Sequence, residues 1–257
     1  MGAPVSTFPV RQGARLHVEL APDERGVREA QALRYQIFGL EMGAKLKSAA
    51  SLLDVDEFDA YCQHLLVREA KTGRVVGCTR ILTDESAARA GRFYSEGEFD
   101  LAPLAALPGR KLEVGRTCIA PEYRQGASIA VLWSGLAGFI QLHGFDYLFG
   151  CASVPLGENG MQAAAIMNRL RRQAIAHPEI RVTPRVPLRT DLAFDAVVDA
   201  PVPALLKAYV RLGARICGEP CRDPDFGVAD VLMLLNVDEL NPAYSRHFLE
   251  RAFELQV

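Results

Sequence analysis

Apolar residues along this chain recur with two periods. Alternation of the strand kind opens at residues 16–20 (LHVEL), which Pro22 ends. A three-four spacing follows, with Val27, Ala30, Leu33, Ile37 and Leu40 on one helix face and Arg34 and Phe38 four residues apart on a neighbouring stripe. Residues 64–69 and 74–82 read as two strands joined through Lys71, Thr72 and Gly73, so a hairpin is expected, and Gly77 inside the second suggests a bulge or a close backbone approach. The segment 91–101 (GRFYSEGEFDL) mixes aromatic residues with carboxylates and fits neither period. Residues 112–119 form a β-branched-rich strand. After Pro121 and a short polar turn, Ile129, Leu132, Trp133, Leu136, Phe139 and Ile140 mark an amphipathic helix, with Trp133 and Phe139 expected in the core.

Residues 146–153 (DYLFGCAS) then predict a buried strand reached by a right-handed crossover, hence parallel to the one before the helix. Helices are expected over 161–176 and 204–216, and a last strand over 228–236. No repeat and no long linker divides the chain. The economical reading is a leader over residues 1–14, disordered in expectation, followed by one α/β domain over 15–257 that includes a C-terminal extension from about residue 203.

Composition narrows the function classes. With 257 residues, 49% of them hydrophobic, a sizeable core is within reach. A net charge of −2 implies no wholesale attraction to nucleic acid. The longest apolar stretch, 129–142, is short and interrupted, so the expectation is a soluble cytoplasmic protein whose membrane contact, if any, is peripheral on the inner face. Six cysteines are scattered without a C-x-x-C pair. Cys217 and Cys221 flank a Gly-Glu-Pro turn, but without a second close pair buried thiols are favoured over a metal site, and no metal is expected.

Two stretches suggest anion binding. Arg124, Gln125, Gly126 and Ala127 lie between a strand and a helix whose first N–H groups lack intrahelical partners, a seat suited to the phosphate end of a carrier arm. Arg169, Arg171, Arg172, Arg181, Arg185 and Arg189 fall in one stretch with a single acid, Glu179. Such a run is either a solvated face or a docking surface for an acidic protein or anionic lipid, and docking of an acidic carrier protein ranks above the solvated face.

Scattered residues also form a pattern. Arg34 with Phe38, Asp56 with Asp59, Arg80 closing GCTRIL, and Glu113 with Arg116 in LEVGR resemble the signature of the acyl-homoserine-lactone synthases. The blocks LRYQIFGLEMGA, DVDEFDAYCQHLLV, RFYSEGEFDL, LEVGRTCIAPEYR, LFGCAS and LLKAYVRLGARICGEPCRDPDFGVADVLMLL resemble more closely the hemolysin-like GNAT relatives that include ornithine N-acyltransferases of ornithine-lipid biosynthesis. The turn is RQGAS where a full R-x-x-G-x-A phosphate loop would stand, and Gly115 occupies a position at which the lactone synthases carry Ser or Thr.

The resemblance implies a GNAT-like α/β fold: a mixed, largely antiparallel sheet flanked by helices, its parallel central strands splayed at the acyl site. It implies transfer of a 3-hydroxyacyl chain from acyl carrier protein to the α-amino group of L-ornithine, forming lyso-ornithine lipid. The acyl group would arrive on the carrier's phosphopantetheine, with no tightly bound cofactor. Glu113 is the first implied base, with Arg116 as catalytic partner and Asp56 and Asp59 as alternative bases or binders of the cationic substrate. Arg34, Phe38, Asp56, Asp59 and Arg80 line the acceptor site, where Arg34, Arg80 or Arg116 would hold the substrate carboxylate. In a regular strand Glu113 and Arg116 point to opposite faces, so a bulge at Gly115 would be needed to bring both to one side. Other readings are another amino-acid acceptor, homoserine-lactone synthesis, or a noncatalytic module that binds acyl carrier protein or a membrane surface.

Overall fold

The computed structural model describes residues 15–124, 128–188 and 200–240. Residues 1–14, Gln125, Gly126, Ala127 and Arg189 lie outside the described residues. In chain order the strands are β1 (Leu16–Leu20), β2 (Gln63–Glu69), β3 (Val75–Thr83), β4 (Phe99–Asp100), β5 (Lys111–Ile119), β6 (Tyr147–Pro155), β7 (Thr183–Pro184), β8 (Arg215–Ile216), β9 (Cys221–Asp223) and β10 (Val228–Asn236). The helices are α1 (Glu24–Arg34), α2 (Asp84–Ala90), α3 (Ala102–Ala105), α4 (Ser128–His143), α5 (Met161–Ala174) and α6 (Ala204–Leu212). They form two compact units, one of residues up to 86 with 114–144, the other of residues 87–113 with 145–244.

In the first unit β2 and β3 make the expected antiparallel hairpin, with a register shift between Val67 and Arg68, and β1 pairs with β2 to extend it into a meander. Thr79 ties β3 to the later part of β5 through the Gly115 carbonyl at 3.3 Å and the Thr117 hydroxyl at 2.7 Å. A Cβ at Gly77 would lie 2.4 Å from Ile119 Cδ1, so the close neighbour at this glycine is a side chain and not the backbone that was expected. Helices cover both faces of the meander. Cys78 faces Ala30 of α1, whereas Leu65, paired with the next residue Thr79, lies beside Gly135 of α4. α1 is capped by Asp23, whose carboxylate accepts the Gly26 N–H at 2.9 Å. After Arg34 the helix widens into π-helical turns over Tyr35–Glu41, so Arg34 and Phe38 do not share the simple α-helical stripe expected of them.

The second unit is built on β6 and β10, antiparallel over nine residue pairs from Val228↔Pro155 to Asn236↔Tyr147. β8 and β9 pair with β10. The beginning of β5 runs parallel to β6 for three pairs, and the ladder ends at Glu113↔Phe149. Phe99, Leu104, Phe149, Leu232 and Leu234 form the core, with Phe93 packed edge-on against Phe149 at 4.9 Å. One expectation is revised. The helix predicted to reach residue 216 stops at Leu212, because Gly213 adopts φ +112° and turns the chain into β8. The segment that fitted neither period, 91–101, is a 3₁₀ turn over Tyr94–Gly97 followed by β4, which pairs with β7. The stretch expected to be an extension supplies β10, the partner of β6 along its whole length. Among the described residues no helix is long and apolar enough to cross a membrane.

Candidate active site

Arg34 enters the first unit from the last turn of α1 with a side chain only 1% exposed, and a buried guanidinium needs anions. It has two. Its Nη1 and Nη2 donate to Asp59 Oδ1 and Oδ2, both at 2.9 Å, in a bidentate fork, and its Nε lies 2.9 Å from Asp54 Oδ2. Nη2 also donates to the Asp54 carbonyl. Asp59 accepts further bonds from Gln31 Nε2 at 3.2 Å and the Asp56 N–H at 3.1 Å. Arg80, on the β3 face that carries Cys78, donates from Nη1 to Asp56 Oδ1 at 2.6 Å and to Asp59 Oδ1 at 3.2 Å. Its guanidinium also lies over the Phe58 ring, 5.9 Å from the centroid. Arg116 completes the set, with Nε 3.1 Å from Asp54 Oδ2 and Nη2 3.4 Å from Asp56 Oδ2.

Three arginines therefore meet three aspartates in one charge-compensated network. Five of the sequence candidates, Arg34, Asp56, Asp59, Arg80 and Arg116, come together in it, and Asp54 joins them as the carboxylate that bridges Arg34 and Arg116. Burial opposes the ionised form of Asp59, but the hydrogen bond and charge of Arg34, then the charge of Arg80, hold its carboxyl well below the usual range. The Arg34 guanidinium is held above its ordinary value despite burial, through Asp59 and Asp54. His64, the cross-strand neighbour of Arg80, is pushed down by burial and by the two nearby cations, against the pull of Asp59. The accessible edge of the network is Asp56 with Arg116, whose side chains are 21% and 13% exposed. Arg116 itself adopts φ +52°, a left-handed backbone that costs a residue with a Cβ about 1 kcal/mol or more. The sequence placed a distortion at Gly115; it falls one residue later.

Glu113 belongs to the second unit, where its carboxylate accepts the Tyr94 N–H at 2.7 Å, the Ser95 N–H at 2.8 Å and the Ser95 hydroxyl. Ser95 also lies 3.2 Å from the Cys151 sulfur, which is 3.7 Å from Glu98 Oε2. Glu98, Asp223 and Asp230 bring carboxylate oxygens within 4.8 Å of one another, with Ser153 Oγ on Asp230 at 2.7 Å. Burial first, then the charges of Asp230 and Asp223, push Glu98 up to about 9. At neutral pH it is a protonated acid that donates, so this triad is chemically a hydrogen-bonded acid cluster more than a preformed cation site. Sequence reasoning missed Ser95 and Glu98 because both lie in the unassigned segment 91–101.

The remaining candidates are placed as follows. Phe38 is buried in the core, its carbonyl accepting the Ala44 N–H at 2.8 Å. Arg124 donates from both Nη atoms to Glu41, at 2.5 and 2.7 Å, and from Nε to the Ile119 carbonyl. In the arginine-rich stretch Arg171 pairs with Glu219, Arg181 donates to the Ala176 carbonyl, and Arg185 donates to the Glu96 carbonyl at 2.6 Å. Arg169 joins Lys207 and Arg211 around an apolar-floored cavity of about 300 Å³ lined also by Leu170, Val202 and Val210. Cys217 and Cys221 are buried, and burial pushes Cys217 up to about 12, which keeps the thiol protonated.

Residues 33–134, which carry the whole arginine–aspartate network, match the family model of the Acetyltransferase (GNAT) domain. The solved acyl-homoserine-lactone synthase LasI superposes with a TM-score of 0.53 at 13% identity, over 93% of this chain and 96% of that one. The fold is GNAT-like: a mixed α/β sheet, mostly antiparallel with β5 and β6 parallel, flanked by helices. By sequence, the chain is similar to curated L-ornithine N(alpha)-acyltransferases. It is 38% identical to that of Rhodobacter capsulatus over 160 residues, 60% of each chain, and 36% identical to that of Agrobacterium fabrum over 181 residues, 64% of this chain and 62% of the other. The chain thus spans about three fifths of the length of the curated relatives it matches.

Proposed function

We propose that this chain is an N-acyltransferase that moves a 3-hydroxyacyl group from acyl carrier protein to the α-amino group of L-ornithine, giving lyso-ornithine lipid. The names of its relatives support the reaction class. The observation that carries the acceptor is the Arg116–Asp56 edge: at 3.4 Å it is the longest arginine–aspartate contact in a network otherwise held at 2.6–3.2 Å, and it is the most accessible. An amino acid fits there with its carboxylate on the Arg116 fork and a cationic group on Asp56. Ornithine supplies that cation from its δ-ammonium, which leaves the α-amine for acylation. Arg34, Asp59 and Arg80 act behind this edge as the fixed charges that hold it in register.

The chemistry needs no covalent enzyme intermediate. The amine nitrogen forms the new bond to the thioester carbon, the carbon–sulfur bond breaks, and the thiolate leaves on the phosphopantetheine and takes up a proton. The amine must lose its own proton. With an α-amino pKa of about 8 the amine needs a positioned acceptor for its proton as the new bond forms, and Glu113 is the proposed acceptor, Arg116 its catalytic partner. Arg124 with Gln125, Gly126 and Ala127 is the proposed phosphopantetheine phosphate seat. Arg169, Arg171, Arg172, Arg181 and Arg185 are the proposed docking surface for the acidic carrier, a role that the cation-rimmed cavity beside Arg169 favours. The protein works in the cytoplasm, with peripheral contact at the anionic membrane that receives its product.

The test is incubation with 3-hydroxyacyl-loaded carrier and a panel of amines, with products read by mass. Ornithine acylated on its α-nitrogen is expected. Acylation of a different amine alone, or homoserine lactone from S-adenosylmethionine, overturns the acceptor, and no turnover with any amine favours a noncatalytic carrier-binding module. Asp56→Asn is expected to raise KM for ornithine tenfold or more with kcat little changed, and Glu113→Gln to lower kcat by about 10²–10⁴.

A further inference from the structure

Large apolar side chains left in solvent are unevenly distributed among the described residues. Leu40, Met42, Leu52 and Val55 fall within sixteen residues of the connection between α1 and β2, with Leu40 67% and Leu52 64% exposed. The stretch is tightly folded. Ser48 Oγ donates to the Leu53 carbonyl and accepts the Val55 N–H, both at 2.7 Å, and the Leu52 N–H reaches the Ala49 carbonyl at 3.0 Å. These bonds hold Leu52 at φ +56°, the left-handed region that favours Gly or Asn. A leucine there is costly twice over, once in its backbone and once in its exposed side chain. Neither cost contributes to the fold, and both are explained by an apolar partner. Charge identifies that partner. Between residues 42 and 55 the charged residues are Lys45, Lys47 and Asp54; the lysines are exposed and Asp54 is buried against Arg34. Glu41, just before, is engaged by Arg124. Apolar side chains interleaved with two exposed lysines, with the exposed Glu41 carboxylate neutralised by Arg124 and Asp54 buried, match a surface of hydrocarbon under phosphates.

We propose that residues 40–55 seat this chain on an anionic bilayer, with Leu40, Met42, Leu52 and Val55 entering the headgroup boundary and Lys45 and Lys47 meeting lipid phosphates. This deepens the peripheral membrane contact proposed above and rests on that contact, not on any catalytic assignment. It moves the contact from the arginine-rich stretch of the second unit to the stretch of the first unit that also contributes Asp54.

The test is flotation of the full chain with phosphatidylglycerol-containing and with pure phosphatidylcholine vesicles, at low and high salt. Binding to the anionic vesicles, weakened by salt and weak on the neutral ones, is expected. Leu52→Asn, polar and at ease in the left-handed region, is expected to weaken partitioning about tenfold or more while leaving Tm unchanged or higher. Acyl transfer to ornithine in vesicle-free solution is read on the same variant and is expected to be unchanged, so that loss of bilayer binding with intact transfer assigns Leu52 to the membrane surface, whereas wild-type vesicle binding without acyl transfer would count against the proposed reaction alone. The proposal is overturned if the full chain binds neither vesicle or both alike. It is equally overturned if Leu52→Asn lowers Tm, which makes the leucine structural, or if that variant breaks a concentration-dependent dimer, which assigns the patch to a second copy.

Discussion

The two units bury charge in opposite ways. In the first, Arg34, Arg80 and Arg116 are matched by Asp54, Asp56 and Asp59, so that each charge has an opposite one within 3.4 Å. In the second, Glu98, Asp223 and Asp230 bring their carboxylates together, with the Cys151 thiol against Glu98 and Arg185 engaged at the Glu96 carbonyl. The same carboxylic chemistry then gives a carboxyl held down at Asp59 and one pushed up to about 9 at Glu98. What decides protonation is the sign of the neighbours, since both groups are substantially desolvated.

The sharpest way to break the comparison is to remove a cation from the compensated network. Arg34→Met leaves Asp54 and Asp59 buried without their main partner, and a loss of about 3–5 kcal/mol is expected in urea unfolding. Adding Asp59→Leu should recover part of that loss, because the orphaned anion goes with it. If Arg34→Met costs less than about 1 kcal/mol, the network is not the interior clamp its 1% exposure implies.

The pH dependence should run in opposite directions. Asp59 has its folded pKa below the ordinary 3.8, so the stability it confers is complete above that value and disappears as the medium becomes more acid. Glu98 has its folded pKa above the ordinary 4.5, so the folded chain holds a proton that the unfolded chain gives up. Its contribution is complete below 4.5 and is lost as pH rises toward about 9. Glu98→Gln keeps a donor and removes the titration, and it is expected to gain on the order of 2 kcal/mol over wild type at pH 8 and little at pH 4. Equal gains at both pH values would show that packing, not protonation, sets the difference.

The compensated network was partly legible in the sequence because its members lie in segments whose periods are clear: Arg34 at the end of a helix face, Arg80 near the end of a strand, and Asp56 and Asp59 in an acidic turn. Asp54 stands in the same DVDEFD run, and only the fold reveals that its carboxylate bridges two arginines. The acid cluster was not legible. Its members come from residues 98, 223 and 230, joined by β9–β10 pairing and by a β4–β7 bridge that links positions more than eighty residues apart. No local pattern carries such a pairing. The π-helical turn after Arg34 and the left-handed Arg116 were also out of reach, since each depends on tertiary bonds that override propensity.

The pair of Arg124 with Glu41 shares the geometry of the buried network and lacks its burial, with both side chains 41% exposed. It should therefore contribute little to stability, and Arg124→Ala is expected to cost less than about 1 kcal/mol. Its effect belongs to ligand binding. If Arg124 serves the donor's phosphate, that phosphate competes with the Glu41 carboxylate for one guanidinium, so Arg124→Ala should raise KM for the acyl donor while Glu41→Ala lowers it, both with KM for ornithine unchanged. Donor KM values that stay level in both variants would reduce this contact to an ordinary surface ion pair, and would leave the fixed charges of the first unit confined to its interior.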